Sequence, residues 1–406
     1  MSAATPAMVT PTVLAWARRE SGFQPEPVAK RLKIKAERLL AWEHGDRQPT
    51  LRQVRNLAKF YHRPLGVFFL PQPPSISPLS AEYRRLPNVH PGSESPELRL
   101  ALRIMSQRRE VAIKLGRELG HPEIPFRLAA HLNEAATDVG ARLRSHLGIE
   151  VREQLAWKNE WWALRRWREA VEALGVLVFQ FPKVGLEQAR GVSLLHFPFP
   201  VVGINSKEAS PAAKSYTLMH ELAHLALAYG HEEQVASQER RDDPAWATVE
   251  RFAEEVASAI LIPADTLNGF LAKMSVPQDG WDVSLVRRLA YTFRVTPLAM
   301  ATRLRSVGAM TWDGYGRWKE KWGAYVATLK PQRGGFATPV DKTLGRVGRP
   351  FVRTVLEAMD ANRITAVEAC RYLDLRFDHF DKLRGELRGG PGSSSTGHSG
   401  GDEESG

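Results

Sequence analysis

The pentapeptide His220-Glu221-Leu222-Ala223-His224 constrains this chain more than any other stretch. At 3.6 residues per helical turn, positions i and i+4 lie one above the other on one face, so two imidazoles at this spacing can hold a single metal ion. Glu221 stands beside them, placed to take a proton from water activated by that metal. The flanks read as helix. Tyr216-Thr217-Leu218-Met219 runs in, Leu225-Ala226-Leu227-Ala228-Tyr229 runs out, no proline interrupts, and Gly230 supplies a stop. The expected chemistry is metal-assisted hydrolysis, with His220 and His224 as metal ligands and Glu221 as the catalytic base.

A catalytic zinc takes three protein ligands and keeps a fourth position open, so two histidines need a further donor. The stretch Glu250-Arg251-Phe252-Ala253-Glu254-Glu255-Val256-Ala257-Ser258-Ala259-Ile260-Leu261-Ile262-Pro263 supplies one. Glu250 is expected to open a helix whose apolar face carries Ala253, Val256, Ala257 and Ile260 at spacings of three and four. Glu254 lies one turn on, where it could accept a hydrogen bond from the free ring nitrogen of a ligating histidine.

Together these segments resemble the ImmA/IrrE family of gluzincin-like metallopeptidases, which carry H-E-x-x-H and, downstream, a segment of the form E-x-x-A-[N/D]-x-F-A-A-x-L-L-M-P. The resemblance implies Glu250 as third ligand. It puts Glu254 where the family has Asn or Asp and Val256 where it has Phe, while Ile260-Leu261-Ile262-Pro263 stands for the closing L-L-M-P. A metzincin would need Gly and His where this chain has Leu227 and Gly230. Zinc is the metal that two histidines and a glutamate suit best, with manganese as the other candidate.

The formal net charge of +11 points to an anionic partner, and its distribution says where. Residues 1–74 hold 12 Lys/Arg against 5 Asp/Glu, and the remaining chain 44 against 40. In that basic segment the apolar spacing predicts helices over Val13–Ser21, from near Pro27, over Ala36–His44, and over Leu51–Tyr61. A brief turn through Lys33-Ile34 precedes the third helix. The stretch Leu40-Ala41-Trp42-Glu43-His44-Gly45-Asp46-Arg47-Gln48-Pro49-Thr50 is similar to the S-x-W-E-x-G-x-x-x-P-[ST] pattern of XRE-type helix-turn-helix domains. The likeness implies a core Trp42, a capping or ion-paired Glu43, and a left-handed turn at Gly45. It implies DNA contacts from Lys33, Lys35, Glu37 and Arg38 at the recognition helix, and from Arg47 and Arg52 near phosphates. Such domains often act as homodimers, so a homodimer is a further expectation. Arg63–Pro74 resembles the junction that joins such a domain to an ImmA/IrrE peptidase.

The fold class expected is mainly α (α+β). A helix-turn-helix domain spans 1–74, and a helical linker spans 75–150, with helices over Ser95–Leu119 and 128–149. A gluzincin-like peptidase domain with a small sheet spans 151–310, a C-terminal helical region 311–388, and a Gly/Ser-rich disordered tail 389–406. Strand signals fall at 177–180, 191–195 and 201–205, and an edge strand there could hold a substrate backbone in extended form. The tryptophans around Trp161 and Trp162 read as core and rim. Val283–Arg305 reads as a helical pair packed on the peptidase, and Phe336–Arg346 as a loop. Cys370 is the sole cysteine, which excludes an internal disulfide framework. No secretion signal or membrane-length apolar run is evident, so the chain is expected in the cytoplasm, without a membrane partner.

Two readings of function follow. The first is a zinc endopeptidase coupled to DNA binding, cutting a protein substrate such as a repressor or antitoxin to control stress-response transcription. The alternative is a DNA-binding regulator or antitoxin-like protein whose peptidase fold senses metal or holds a partner without cleavage.

Overall fold

A computed structural model describes residues 6–75, 83–84, 86, 89–90, 92–274, 280–329 and 337–388. Four short helices open it: α1 (Pro11–Glu20), α2 (Pro25–Leu32), α3 (Ala36–His44) and α4 (Leu51–Phe60). Their boundaries follow from local chemistry. Lys33 takes the left-handed conformation (φ 56°) and ends α2, while Gly45 (φ 91°) ends α3. Thr50 and Gln53 close a reciprocal capping box on α4. Leu14, Ala17, Val28, Leu39, Trp42, Val54 and Leu57 form one apolar core, with Trp42 buried as the sequence implied. Glu43 is ion-paired rather than capping. Its two oxygens accept from Arg18 Nε at 2.8 Å and Arg18 Nη2 at 2.9 Å, both side chains being buried.

The long helix α5 (Pro96–Glu118) follows, then α6 (Ala136–Leu147), α7 (Val151–Leu155) and α8 (Glu160–Ala173). Strands β1 (Leu177–Phe181), β2 (Gly191–Leu194) and β3 (Val201–Asn205) make a sheet of order β1-β3-β2, with β1 parallel and β2 antiparallel to β3. Side chains alternate across the strands and serve two cores. Val178, Val202 and Ile204 join the core of α8, α9 (Pro211–Tyr229) and α10 (Asp243–Leu261). Phe179, Phe181, Val192, Leu194 and Val201 join the other core, with Leu98, Leu102 and Met105 of α5.

Helices α11 (Ala264–Leu271), α12 (Val283–Phe293), α13 (Pro297–Ser306) and α14 (Trp312–Thr328) continue the first core through Leu267, Val286, Phe293, Met300, Leu304 and Trp318. Helices α15 (Pro339–Val347), α16 (Arg349–Asp360), α17 (Ala366–Leu373) and α18 (Phe380–Arg388) complete the second through Val340, Val347, Phe351, Val355 and Leu383. The fold is mainly α with a small sheet. Among the described residues no helix is long and apolar enough to cross a membrane.

Several expectations change. The stretch expected as a helix over 128–149 is helical only over Ala136–Leu147. Phe126, Ala130, Val139, Leu143 and Ile149 pack into the core of α9 and α10, so this segment is not a free-standing linker. Helix α10 starts at Asp243, capped by Asp242 on the Ala245 amide, which puts Glu250 in mid-helix rather than at its opening. Most of the expected loop 336–346 is α15, begun by a capping box between Thr338 and Asp341 that the sequence reading overlooked. Trp157 and Trp167 are core and Trp161 is exposed. The tail 389–406 lies outside the described residues.

Removing one partner of the buried Arg18–Glu43 pair leaves an uncompensated charge. Glu43→Ala should cost the N-terminal domain about 3–5 kcal/mol, read as a shifted urea midpoint. An unchanged midpoint would contradict this account of the domain.

Candidate metal centre

Helix α9 carries the pentapeptide and is apolar on nearly every side, as befits a central helix. Ser210 caps it by accepting from the Ala213 amide, with Pro211 in its first turn. Gly230 ends it at φ −77°, so it is not a left-handed cap. A Cβ there would stand 2.3 Å from the Ala130 carbonyl, and close backbone approach requires the glycine. The reversal falls instead on His231 (φ 62°), which turns the chain back beneath α9.

That reversal positions an unforeseen carboxylate. Glu233 Oε1 lies 2.8 Å from His224 Nδ1, both groups buried. His224 Nε2 is then free to face His220 Nε2 at 3.1 Å. Helix α10 passes across the pair and presents Glu250, whose Oε2 is 3.3 Å from His220 Nε2 and whose Oε1 is 3.4 Å from His224 Nε2. The ligand atoms of His220, His224 and Glu250 lie within 4.8 Å of one another. Two imidazoles and a carboxylate are the donor set that zinc takes in open sites, so these residues fit a metal ion.

Glu221 is buried on the sheet side of α9. Ser193 Oγ of β2 donates to its Oε2 at 2.6 Å. Strand β2 can approach this closely because residue 191 is glycine. A Cβ there would meet Glu221 Oε1 at 2.5 Å and Thr217 Cγ2 at 2.7 Å. From outside these elements comes Arg84, also buried. Its Nε donates to Glu221 Oε2 at 3.1 Å, its Nη2 to Glu221 Oε1 at 2.9 Å, and its Nη1 to Glu250 Oε1 at 3.1 Å.

These charges set the protonation states. Burial works to raise the Glu221 carboxyl, but Arg84 and the two imidazoles outweigh it and hold the group below the usual carboxylate range. Burial likewise opposes ionisation of Glu250. The charges of His224 and Arg84, with hydrogen bonds from both imidazoles, drive it well below that range. Burial and Arg84 work to lower His224, yet Glu233 and Glu250 raise it to about 9.

Glu254 does not take the role expected of it. It stands exposed one turn beyond Glu250, and no hydrogen bond or ion pair joins its carboxylate to either imidazole. Its backbone carbonyl accepts from the Tyr216 hydroxyl at 3.4 Å, and His220 Nδ1 is left without a partner. The rise of α10 carries Glu254 past the imidazoles to the rim, whereas Glu233 is folded under His224. Arg84, Ser193 and Glu233 escaped the sequence reading because no spacing rule links them to the pentapeptide. The one signal for Glu233 was a carboxylate just past the glycine stop.

In the N-terminal domain, Lys33, Lys35, Glu37, Arg38, Arg47 and Arg52 are all exposed, and none is in an ion pair among the described residues. Arg38 lies 5.9 Å from the Trp42 ring centroid, on the outer side of α3.

Helix-turn-helix and metal-peptidase geometry thus occupy one chain, which defines a DNA-binding protein fused to a metallopeptidase-type domain. The family comparisons agree. Residues 14–68 match the helix-turn-helix family HTH_3, and residues 171–305 match the IrrE N-terminal-like domain family, Peptidase_M78. The chain is an XRE-type helix-turn-helix joined to an ImmA/IrrE-like peptidase domain. No curated protein and no solved structure gave a significant match.

A carboxylate on Nδ1 fixes the tautomer of a ligating imidazole and raises its basicity. Glu233→Ala should therefore weaken zinc binding by about 10–100-fold in competition with a chromophoric chelator. Wild-type affinity in that variant would rule out the assigned role of Glu233.

Proposed function

We propose that this chain is a zinc-dependent endopeptidase that cleaves a repressor or antitoxin-like protein, with its helix-turn-helix domain placing it on DNA near that substrate. The observation that carries the reading is the convergence of His220, His224 and Glu250 from two helices, with Glu221 beside them. His220, His224 and Glu250 hold the ion, and Glu233 orients His224. Zinc is the preferred ion and manganese the alternative. When bound, the ion supplies Lewis acidity that brings the ionisation of water towards neutral pH.

The protein's own residues do the rest. Glu221 takes the proton of the attacking water and passes it to the leaving amine as the peptide C–N bond breaks. Ser193 fixes the rotamer of Glu221 through its hydroxyl. A substrate in extended form would lie along β2, the edge strand next to α9. An acidic group at 250 and a neutral imidazole at 224 are both needed for metal loading. Since His224 rises to about 9 when metal-free, zinc uptake at neutral pH should release close to one proton from it. Calorimetry in buffers of different ionisation enthalpy reads that release, and a proton-neutral uptake would contradict the ligand assignment.

The DNA side is assigned to residues 1–74. Lys33, Lys35, Glu37 and Arg38 face the groove, and Arg47 and Arg52 meet phosphates. For Arg47→Ala, binding to mixed-sequence duplex DNA should weaken. The slope of log K against log salt should flatten by about 0.9, the share of one phosphate contact. An unchanged slope would remove Arg47 from the interface.

Cleavage itself is tested by comparing new protein N-termini in the native host, with and without DNA damage, for wild type and Glu221→Gln. A cut seen only with the wild type, while Glu221→Gln keeps its zinc, supports the peptidase and names its substrate. Identical N-termini under several stresses would favour the regulator that senses metal or holds a partner.

A further inference from the structure

We propose that the Tyr83–Arg84 segment occupies the place of the substrate backbone on the β2 edge and keeps the peptidase site latent until it is displaced. This rests on the peptidase reading above. The sheet order leaves β2 with a single strand partner, β3, and a second edge that runs beside Glu221. Tyr83–Arg84 takes that edge. It pairs antiparallel, with Tyr83 opposite Leu194 and the Arg84 amide donating to the Ser193 carbonyl at 3.1 Å. Backbone pairing of this kind reads no side chains, so the groups that hold the strap are those an extended substrate would use. The strap and a substrate therefore compete for one edge.

The side chain of Arg84 adds a second block. Its guanidinium spans both oxygens of Glu221 and reaches Glu250 Oε1. Bidentate contact with arginine, together with the Ser193 hydroxyl, takes three of the acceptor positions of Glu221 and matches its negative charge. In that state Glu221 is a weakened base, since a proton taken from water would have to displace its contact with Arg84. Arginine keeps its own proton throughout, so no change of pH near neutrality releases the lock. Only movement of the segment does.

The strap is fastened away from the site. The Tyr83 hydroxyl donates to Glu94, and Arg99 pairs with the same carboxylate at 3.0 Å. Arg99 in turn donates to the Arg19 carbonyl of α1 at 3.1 Å and packs against Gly22, where a Cβ would stand 2.9 Å from Arg99 Cδ. The fastening thus lies at the contact between α5 and the DNA-binding domain. On its outer side the segment is held by the Ala236 amide, which donates to the Tyr83 carbonyl at 2.6 Å.

A binding measurement tests this without turnover. The probe is a fluorescein-labelled synthetic peptide covering residues 81–89, added to the zinc-loaded full chain and followed by anisotropy. Three proteins are compared: wild type, Arg84→Gln, and Arg99→Ala, which loosens the fastening without touching the metal centre. A site filled by its own strap binds in proportion to the fraction open, so both variants should bind the peptide roughly ten-fold or more tighter than wild type. The same peptide with Gln at the Arg84 position should bind the variants more weakly than the arginine form. Equal affinity of all three proteins for the probe would overturn the proposal, and Arg99→Ala decides the matter should Arg84→Gln fail to fold. Digestion of fluorescein-labelled casein is measured in parallel. Tighter peptide binding with no digestion by any of the proteins would leave the strap standing and remove the peptidase reading. Faster digestion by both variants supports the two together.

Discussion

Burial of ionised groups among apolar side chains is the constraint on which this structure turns. Glu221, Glu233 and His224 are buried, and Glu250 is nearly so, in a part of the fold otherwise lined by leucine, alanine and valine. An unpaired carboxylate there would be prohibitively costly, so each is matched. Glu233 is matched by His224, Glu221 by Arg84 and Ser193, and Glu250 by both imidazoles and Arg84. The matching dictates the architecture. Helix α10 must cross α9 at Glu250, the chain must reverse at His231, and β2 must approach α9 closely enough to exclude any side chain at Gly191.

Local chemistry was legible in the sequence wherever a short-range rule applies. The i, i+4 histidines mark α9, the short apolar runs Leu177-Val178-Phe179 and Val201-Val202 mark β1 and β3, and Trp42, Glu43 and Gly45 take the positions that the helix-turn-helix pattern implies. Glu250 joins the histidines in space, although it sits in mid-helix. What remained hidden depends on tertiary placement. Arg84 is 137 residues from Glu221 and comes from the span expected as a helical linker. Helical spacing from Glu250 favoured Glu254 in sequence, and only the turn at His231 brings Glu233 to His224 instead. The packing of Phe126–Ile149 against α10 was hidden for the same reason, since amphipathic spacing predicts a helix but not its partner.

The two halves of the molecule are joined by more than sequence. Arg103 donates to the Tyr61 carbonyl, and Arg99 to the Arg19 carbonyl, so α5 supports the DNA-binding domain on one face and the sheet on the other. The route from α1 through Arg99 and Glu94 to Tyr83 continues in Arg84 to Glu221. A protein built this way can link the state of its DNA-binding domain to access at the metal centre through contacts already present in the fold.

The central claim is that His220, His224 and Glu250 form the metal site, and X-ray absorption at the zinc edge of the loaded full chain tests it most directly. The account predicts one zinc per chain bound by nitrogen and oxygen only, with two imidazoles at about 2.0–2.1 Å. It also predicts that His220→Ala removes one imidazole contribution and Glu250→Gln lowers the oxygen count. Sulfur scattering at the zinc, or a spectrum unchanged by both substitutions, would contradict it.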